Sequence, residues 1–256
     1  MADVILSVLA HPDDAEFLCA GTLTRLARER GWGAHIASMT PGDCGSAELP
    51  PDEIARVRRA EGAAAAAVIG AAYHCVEERD LRVVYGEGPL ERVVRLMRQV
   101  RARVVLTHSP ADYMLDHEQT STIARAACFA AAVPNFLRER ISERPLDHIP
   151  HLYYCDPIEG KDPLGRAVEP GLCIDISGVI ETKAEMLARH ASQREWLRKQ
   201  HGMDQYVQAM RDWGAERGRP CGVAYAEGFR QHLGHSYPQD NLLGNLLGAT
   251  TGHAGG

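Results

Sequence analysis

Short apolar runs alternate with helical patterns over the first half of the chain, and this alternation restricts the possible folds. Apolar runs occur at 4–10, 35–39 and 104–107, and amphipathic stretches at 17–30, 51–69 and 89–101. A short apolar run bounded by turn residues is typical of a buried strand, and glycine or proline marks the ends of the helical stretches. The alternation predicts the α/β class, with a Rossmann-like, mostly parallel sheet covered by helices on both faces.

The second half of the chain is less regular. We predict strands at 149–154 and 172–176, and helices at 180–190 and 203–217. The segment 156–171 is rich in turn-forming residues, which suit either a flap over a substrate or a surface loop. We expect one domain over residues 1–247. The glycine-rich tail 248–256 cannot bury a core, so we expect it to be disordered and do not count His253 as a ligand.

The composition excludes several classes of protein. A net charge of −6 argues against general nucleic-acid binding. No apolar stretch approaches the ~18 residues that span a bilayer. No basic segment precedes the first apolar run, so we expect a strand there and not a signal peptide. The seven scattered cysteines include no Cys-x-x-Cys pair, which favours free thiols and a cytoplasmic location.

The first chemical motif is His11-Pro12-Asp13-Asp14, directly after the apolar run 4–10. Open α/β sheets place their sites at the carboxyl ends of strands. Imidazole with carboxylate suits a divalent metal such as Zn²⁺, and the additional carboxylate can act as the base of a metal-assisted hydrolysis. The alternative is an ordinary strand–helix turn in which Asp14 caps the helix.

The second motif is Asp116-His117, which follows the strand predicted at 104–107. Two strands of one parallel sheet can bring this loop beside the first motif. His11, Asp14 and His117 would then form a metal site with two histidines, one carboxylate and an open position, as hydrolytic zinc enzymes have. Fe²⁺ could occupy the same ligands. The alternative for His117 is a solvated residue at a helix N-terminus.

The first strand–helix turn lacks Gly-x-Gly-x-x-Gly, so dinucleotide binding is not supported.

At these residues the chain resembles the LmbE-like, or PIG-L, N-acetylglucosaminyl deacetylases. The main matches are Ala10–Glu16, Gly21–Leu23, Thr40–Gly45, Arg58–Glu61 with Ile69 and Gly70, Asp112 with Tyr113, and Asp116 with His117; looser matches lie at 175–177, Lys183, 190–193 and 226–229. The resemblance implies an LmbE-like architecture, with one zinc per chain held by His11, Asp14 and His117. It also implies that Asp13 is the general base, that Arg58 helps to hold a sugar, and that the chain forms a trimer or hexamer.

One departure from the family pattern bears on the mechanism. Many members carry a second histidine where this chain has Met114, and that histidine steadies the oxyanion or protonates the leaving amine. A thioether does neither well. The substitutes that the sequence offers are His108, Asp112, His232 and His235.

We therefore expect a zinc-dependent enzyme that removes an N-acyl group from an amino sugar or glycoconjugate. Possible substrate contacts are Asp43, Arg58, Asp80, Asp112, Glu227, His232 and His235. One alternative is an amidase that acts on a thiol–sugar conjugate with the same site. Another is a metal-binding protein whose catalytic site is disabled. A nucleotide-binding Rossmann module is disfavoured by the missing glycine loop.

Overall fold

The computed structural model describes residues 2–194 and 205–249. The strands are β1 (Val4–Leu9), β2 (Gly33–Ser38), β3 (Ala72–Cys75), β4 (Val104–Thr107), β5 (His151–Cys155), β6 (Leu172–Asp175) and β7 (Ala226–Gln231). The helices are α1 (Asp14–Leu18), α2 (Ala20–Arg30), α3 (Pro51–Ala67), α4 (Glu87–Val100), α5 (Leu115–Ala131), α6 (Ile180–Ala188), α7 (Tyr206–Gly218) and α8 (Leu242–Leu247).

The strands form one sheet in the order β3-β2-β1-β4-β5-β7-β6. The first five are mutually parallel, and β7 runs antiparallel to both β5 and β6. The chain crosses from one side of β1 to the other to reach β4. The carboxyl ends of β1 and β4 therefore meet at the point where the strand order reverses, and in doubly wound sheets this is where ligands bind. Both chemical motifs follow these two strands.

Helices cover both faces of the sheet. Along β1, Ile5 and Leu9 belong to one buried cluster, while Leu6 and Val8 belong to the other. Successive side chains of a strand point to opposite faces, so both faces of β1 are buried in apolar cores. The predicted α/β class, with a mostly parallel sheet between helical layers, is confirmed.

Several elements differ from the prediction. The predicted helix 17–30 is two helices, because the backbone at Cys19 (φ −148°) leaves the helical region. Helix α5 begins at Leu115, so Asp116 and His117 lie in its first turn. The sequence analysis missed β3 and β7. Strand β3 is a half-buried edge strand, and β7 interrupts its apolar residues with Glu227 and Gly228, so neither has the continuous apolar run of a buried strand.

The segment 156–171 contains a short 3-10 turn at Ile158–Gly160 and an antiparallel bridge between Lys161 and Ala167. The start of the helix predicted at 203–217, and the predicted tail from residue 250 onward with His253, lie outside the described residues. Within residues 2–194 and 205–249, no helix is both long enough and apolar enough to span a bilayer.

Candidate metal centre and active site

A cavity of about 620 Å³ opens where the parallel strands end. This volume is in the range of small-molecule sites. The loop after β1 contributes His11 and Asp13, and α1 and α5 contribute Asp14 and His117 from their first turns. Residues of α3 and α7, and of the loops after β2, β3 and β4, are also part of the lining. The two motifs, about a hundred residues apart in the chain, therefore lie in one cavity.

The turn that carries Asp13 has a strained backbone and is held in place by hydrogen bonds from Arg58. Asp13 has φ 109°, a left-handed conformation that costs energy for a residue other than glycine and that occurs mostly at functional sites. Arg58, buried on α3, donates hydrogen bonds to the Pro12 carbonyl (2.6 Å) and to Asp13 Oδ1 (3.1 Å). A Cβ atom at Gly42 would overlap the Arg58 guanidinium, which explains the glycine there.

The three predicted metal ligands are spaced as ligands of one ion. His11 Nδ1 lies 3.4 Å from Asp14 Oδ2 and 3.3 Å from His117 Nε2, and the last pair, His117 Nε2 and Asp14 Oδ2, is 3.7 Å apart. A tetrahedral ion with ligand bonds of about 2.0–2.1 Å separates its ligands by about 3.3–3.4 Å. The donor set therefore fits Zn²⁺ with a fourth position left for solvent or substrate, and it would also accept Fe²⁺.

Two other groups of donors among the described residues are close enough for an ion. In the set His108, Asp112 and His117, the carboxylate already bonds His117 Nδ1 at 2.9 Å. In the set Asp43, Cys44 and Asp80, Asp43 is paired with the guanidinium of Arg79 at 3.0 Å, whose positive charge opposes a cation. In the set His11, Asp14 and His117, no guanidinium pairs with the carboxylate. Asp14 Oδ2 accepts from the His11 backbone N–H at 2.7 Å, and the ring nitrogens His11 Nδ1 and His117 Nε2 lie 3.4 and 3.7 Å from the same oxygen.

A second carboxylate orients each histidine of the candidate site. Asp112 accepts from His117 Nδ1 at 2.9 Å, and Asp116 lies 3.4 Å from His11 Nε2. These contacts place the ring protons on His117 Nδ1 and His11 Nε2. They leave His117 Nε2 and His11 Nδ1 free as ligands. Carboxylates in this position hold metal-binding histidines in the correct tautomer and raise their basicity. The sequence analysis assigned neither carboxylate this role, although metal-binding histidines usually have such a partner.

Asp13 lies beside the candidate metal site and has two partners of its own. Arg58 bonds Oδ1, and the Tyr206 hydroxyl donates to Oδ2 at 2.5 Å. Burial raises the pKa of the Asp13 carboxyl above its ordinary value, although the charge of Arg58 opposes the shift. A carboxylate with a raised pKa accepts a proton more readily near neutral pH. Tyr206 was not predicted, because it lies on α7 with no motif around it.

Asp43 and Asp80, two of the predicted substrate contacts, lie on adjoining loops, and Asp80 is the one that faces the cavity. Asp80 lines the cavity, and its Oδ1 atom is buried with no hydrogen-bond partner among the described residues. Asp80 Oδ2 accepts from the Cys44 backbone N–H at 2.9 Å. Asp43 instead holds the loop, because it accepts from the Asp80 backbone N–H at 2.8 Å and pairs with Arg79. Asp80 thus places a carboxylate in the cavity wall, with one oxygen held by the loop and the other buried without a partner among the described residues.

Three predicted substrate contacts lie away from the cavity. Glu227 is buried in an ion pair with Lys183 (2.6 Å) and accepts from the backbone N–H groups of Gly21 and Thr22. His232 and His235 follow β7. Because β7 runs antiparallel to β5, the chain leaves it at the opposite edge of the sheet, where His232 bonds the Tyr154 hydroxyl at 3.0 Å.

None of the four substitutes suggested for Met114 presents a free donor to the cavity. Asp112 is committed to His117, and the two histidines after β7 lie at the other edge. His108 is buried behind the site: its ring stacks on His117 at 3.8 Å, and its Nε2 accepts from the Ala10 N–H at 2.9 Å. Burial lowers the pKa of His108 to about 4, so it is neutral at neutral pH.

Tyr113 is a donor that the sequence analysis missed. It lines the cavity beside Met114, and its ring meets that of His117 edge-on at 5.2 Å. Partial burial, reinforced by nearby carboxylates, raises the pKa of the Tyr113 hydroxyl above its ordinary value, which is itself high enough for the hydroxyl to keep its proton at neutral pH. The residue stood in the quoted Asp112-Tyr113 match, but no spacing rule pointed to its hydroxyl.

The site geometry agrees with the family relationships of the chain. Residues 6–128 match the PIG-L family, described as GlcNAc-PI de-N-acetylase, and the chain contains a PIG-L, or LmbE-like, domain across these residues. The resemblance drawn from the sequence motifs is thereby confirmed.

Known relatives include both deacetylases and a hydratase. The chain is 26% identical to 4-oxalmesaconate hydratase from Pseudomonas putida, over 88% of this chain and 87% of that protein. It is 29% identical to 1D-myo-inositol 2-acetamido-2-deoxy-alpha-D-glucopyranoside deacetylase from Kineococcus radiotolerans, over 50% and 45% of the two chains. The N,N'-diacetylchitobiose deacetylase structure from Pyrococcus horikoshii shares the fold, with a TM-score of 0.77 and 23% identity over 94% of this chain and 89% of that one. Together these matches indicate an enzyme of the PIG-L deacetylase/hydratase type.

Proposed function

We propose that the protein is a zinc-dependent hydrolase that removes an N-acyl group, such as acetyl, from an amino sugar or glycoconjugate. The mutual spacing of His11 Nδ1, Asp14 Oδ2 and His117 Nε2, at 3.3–3.7 Å, carries this proposal. These atoms share the cavity with Asp13, a carboxylate outside the donor set. A hydrolytic metal needs both an open position and a neighbouring base.

His11, Asp14 and His117 would hold the ion. When bound there, Zn²⁺ supplies Lewis acidity, which makes water more acidic and the acyl carbonyl more electrophilic. Asp13 takes the proton of the attacking water on its carboxylate and returns it to the leaving amine. Arg58 and Tyr206 hold the two oxygens of that carboxylate in place during both transfers.

Tyr113 fills the role that Met114 cannot perform. Its protonated hydroxyl can donate to the oxygen that becomes negatively charged as water attacks the carbonyl. One such donor contributes a factor of about 10²–10³ to kcat in acyl-transfer enzymes. We therefore expect Tyr113→Phe to lower kcat by that factor while the zinc content stays unchanged. Unaltered kcat in this variant would exclude the donor role.

The cavity suits a neutral polar substrate. Asp80 and Arg58 both line the cavity, so their carboxylate and guanidinium would be the acceptor and the donor for sugar hydroxyls. The family description and the two deacetylase relatives name N-acetylated sugars, which supports this substrate class. An amidase that acts on a thiol–sugar conjugate would use the same residues.

Hydration of an unsaturated carboxylate is the second candidate function. The similarity to 4-oxalmesaconate hydratase spans 88% of the chain, and Met114 departs from the deacetylase pattern. The charges of the cavity weigh against it. Among the described lining residues, Arg58 is the single guanidinium or ammonium group and is already paired with Asp13, while Asp80 adds a further negative charge. A bound Zn²⁺ would attract one carboxylate of such a substrate, but these lining residues offer no unpaired guanidinium or ammonium group for the others.

The test is release of free amine from N-acetylglucosamine and its glycosides by zinc-loaded wild type and Asp13→Asn, both with measured zinc content. Loss of the ultraviolet absorbance of the conjugated double bond of an unsaturated polycarboxylate is followed in parallel. We expect amine release by wild type and none by the zinc-replete variant. Hydration without amine release would replace the proposal with the second candidate. Zinc binding without either reaction would favour a disabled site.

A further inference from the structure

We infer that the substrate carries an aliphatic or aromatic group, which binds to an apolar shelf at the mouth of the cavity. The apolar shelf consists of Leu81, Tyr113 and Met114, which all line the cavity. The inference rests on the proposed function and extends it from the sugar to the group attached to it. Two sources of this chemistry are an acyl chain longer than acetyl and an apolar aglycone.

The shelf presents apolar surface to solvent beside the reacting groups. Leu81 is 69% exposed and Tyr113 is 64% exposed, although both belong to the cavity wall. A single exposed leucine needs no explanation, but adjoining exposed apolar residues at the mouth of a cavity are typical of a binding surface. Leu115, the residue after Met114, is 65% exposed as well.

The backbone holds Leu81 on the shelf at an energetic cost. Leu81 has φ 62°, a left-handed conformation that a branched apolar side chain rarely adopts. Its N–H donates to Asp116 Oδ2 at 2.7 Å, and the same oxygen faces His11 Nε2. The carboxylate that orients a candidate metal ligand thus also fixes the position of this leucine. Strained residues persist where the surroundings over-determine them, and they concentrate at functional sites.

Apolar residues also occur on other parts of the cavity wall. Phe17 packs its ring against Tyr206 at 5.1 Å, and Ile158 and Ala209 line the same cavity. The cavity wall thus combines the ionisable groups of the candidate site with apolar surface. A substrate that carried only hydroxyl groups would leave that apolar surface unmatched, whereas an apolar group would remove it from water.

The experiment compares wild type with Leu81→Asn, both zinc-loaded. Asparagine tolerates the left-handed backbone, so the substitution removes apolar surface with little effect on the fold. One series of probes has an N-acetylglucosamine β-glycoside with a methyl, p-nitrophenyl or octyl aglycone. The other series has the methyl glycoside with an N-acetyl, N-butanoyl or N-hexanoyl group. Calorimetry on Asp13→Asn versions of each protein, which should bind the probes without hydrolysing them, gives Kd, and amine release by the versions with Asp13 gives kcat/KM. Leu233→Asn, at the opposite edge of the sheet and 57% exposed in the native chain, is the matched control.

In wild type, at least one series is expected to bind about 10-fold more tightly as the apolar group grows, since each buried methylene contributes up to about fourfold. Leu81→Asn should reduce that gain about 10-fold, and Leu233→Asn should leave it unchanged. The series that responds shows whether the apolar group of the substrate is its acyl chain or its aglycone. Leu81-dependent binding without amine release would support the shelf while refuting the hydrolase.

Two results would overturn the inference. The first is that amine release occurs, but neither its kcat/KM nor Kd changes with the size of the apolar group in either series. The second is a change of subunit number in Leu81→Asn by light scattering, with the binding preference of wild type retained, which would assign the surface to contact between copies of the chain.

Discussion

The carboxylate behind His117 gives a direct test of how the metal centre is built. Asp112 Oδ1 accepts from His117 Nδ1 at 2.9 Å and from the Met114 N–H at 3.4 Å. Asp112→Asn keeps an oxygen for both contacts and removes only the charge. Loss of an outer carboxylate typically weakens metal binding 10- to 100-fold. The two side chains are 2% and 1% exposed, so water cannot replace the lost charge. We expect the upper part of the range, about 30- to 100-fold, or ~2–2.7 kcal/mol.

The assay is competition for Zn²⁺ against a chromophoric chelator at fixed pH and ionic strength. The matched control is Asp240→Asn, because Asp240 forms an equally short pair (2.9 Å) with His151, a histidine outside the candidate metal site. The control should bind zinc as wild type does. Zinc affinity of Asp112→Asn within about twofold of wild type would refute the role given to the outer carboxylate.

Three further outcomes follow from the buried charges. Asp13→Asn should retain zinc and lower kcat by about 10²–10⁴; zinc loss in step with activity would contradict a base outside the ligand set. Lys183→Met should lower the free energy of unfolding in urea by about 3–5 kcal/mol, because Glu227 loses its buried partner; a loss under 1 kcal/mol would be inconsistent with that ion pair. Burial raises the pKa of Asp156 to about 6, so its carboxyl costs stability increasingly as the pH rises from 4 through 6. Asp156→Asn should therefore stabilise the fold by about 2 kcal/mol more at pH 8 than at pH 4, and an equal effect at both would exclude this titration.

The fold was predictable where strands are buried on both faces. β1 and β4 lie in the centre of the sheet, so their sequences are continuous apolar runs. β3 was missed because this half-buried edge strand mixes polar and apolar residues, and β7 was missed because Glu227, a member of a buried ion pair, interrupts its apolar residues. The break at Cys19 was missed because residues on both sides of it have the same helical pattern.

The juxtaposition of His11, Asp14 and His117 in the candidate metal site was predictable because these residues lie next to the strands in the sequence. His11 and Asp14 follow β1 directly, and parallel topology brings the loop after β4 beside them. The positions of His232 and His235 depend on the direction of β7, which no local pattern encodes. Tyr206 reaches Asp13 from a helix 193 positions along the chain, so its contact is a property of the tertiary structure alone.

The most direct test of the account is anomalous diffraction at the zinc edge from crystals grown with one equivalent of Zn²⁺. We predict one strong peak bounded by His11 Nδ1, Asp14 Oδ2 and His117 Nε2, which disappears in Asp14→Ala. A principal peak between Asp43, Cys44 and Asp80, or one that persists in Asp14→Ala, would contradict the proposed metal centre and the hydrolytic mechanism built on it.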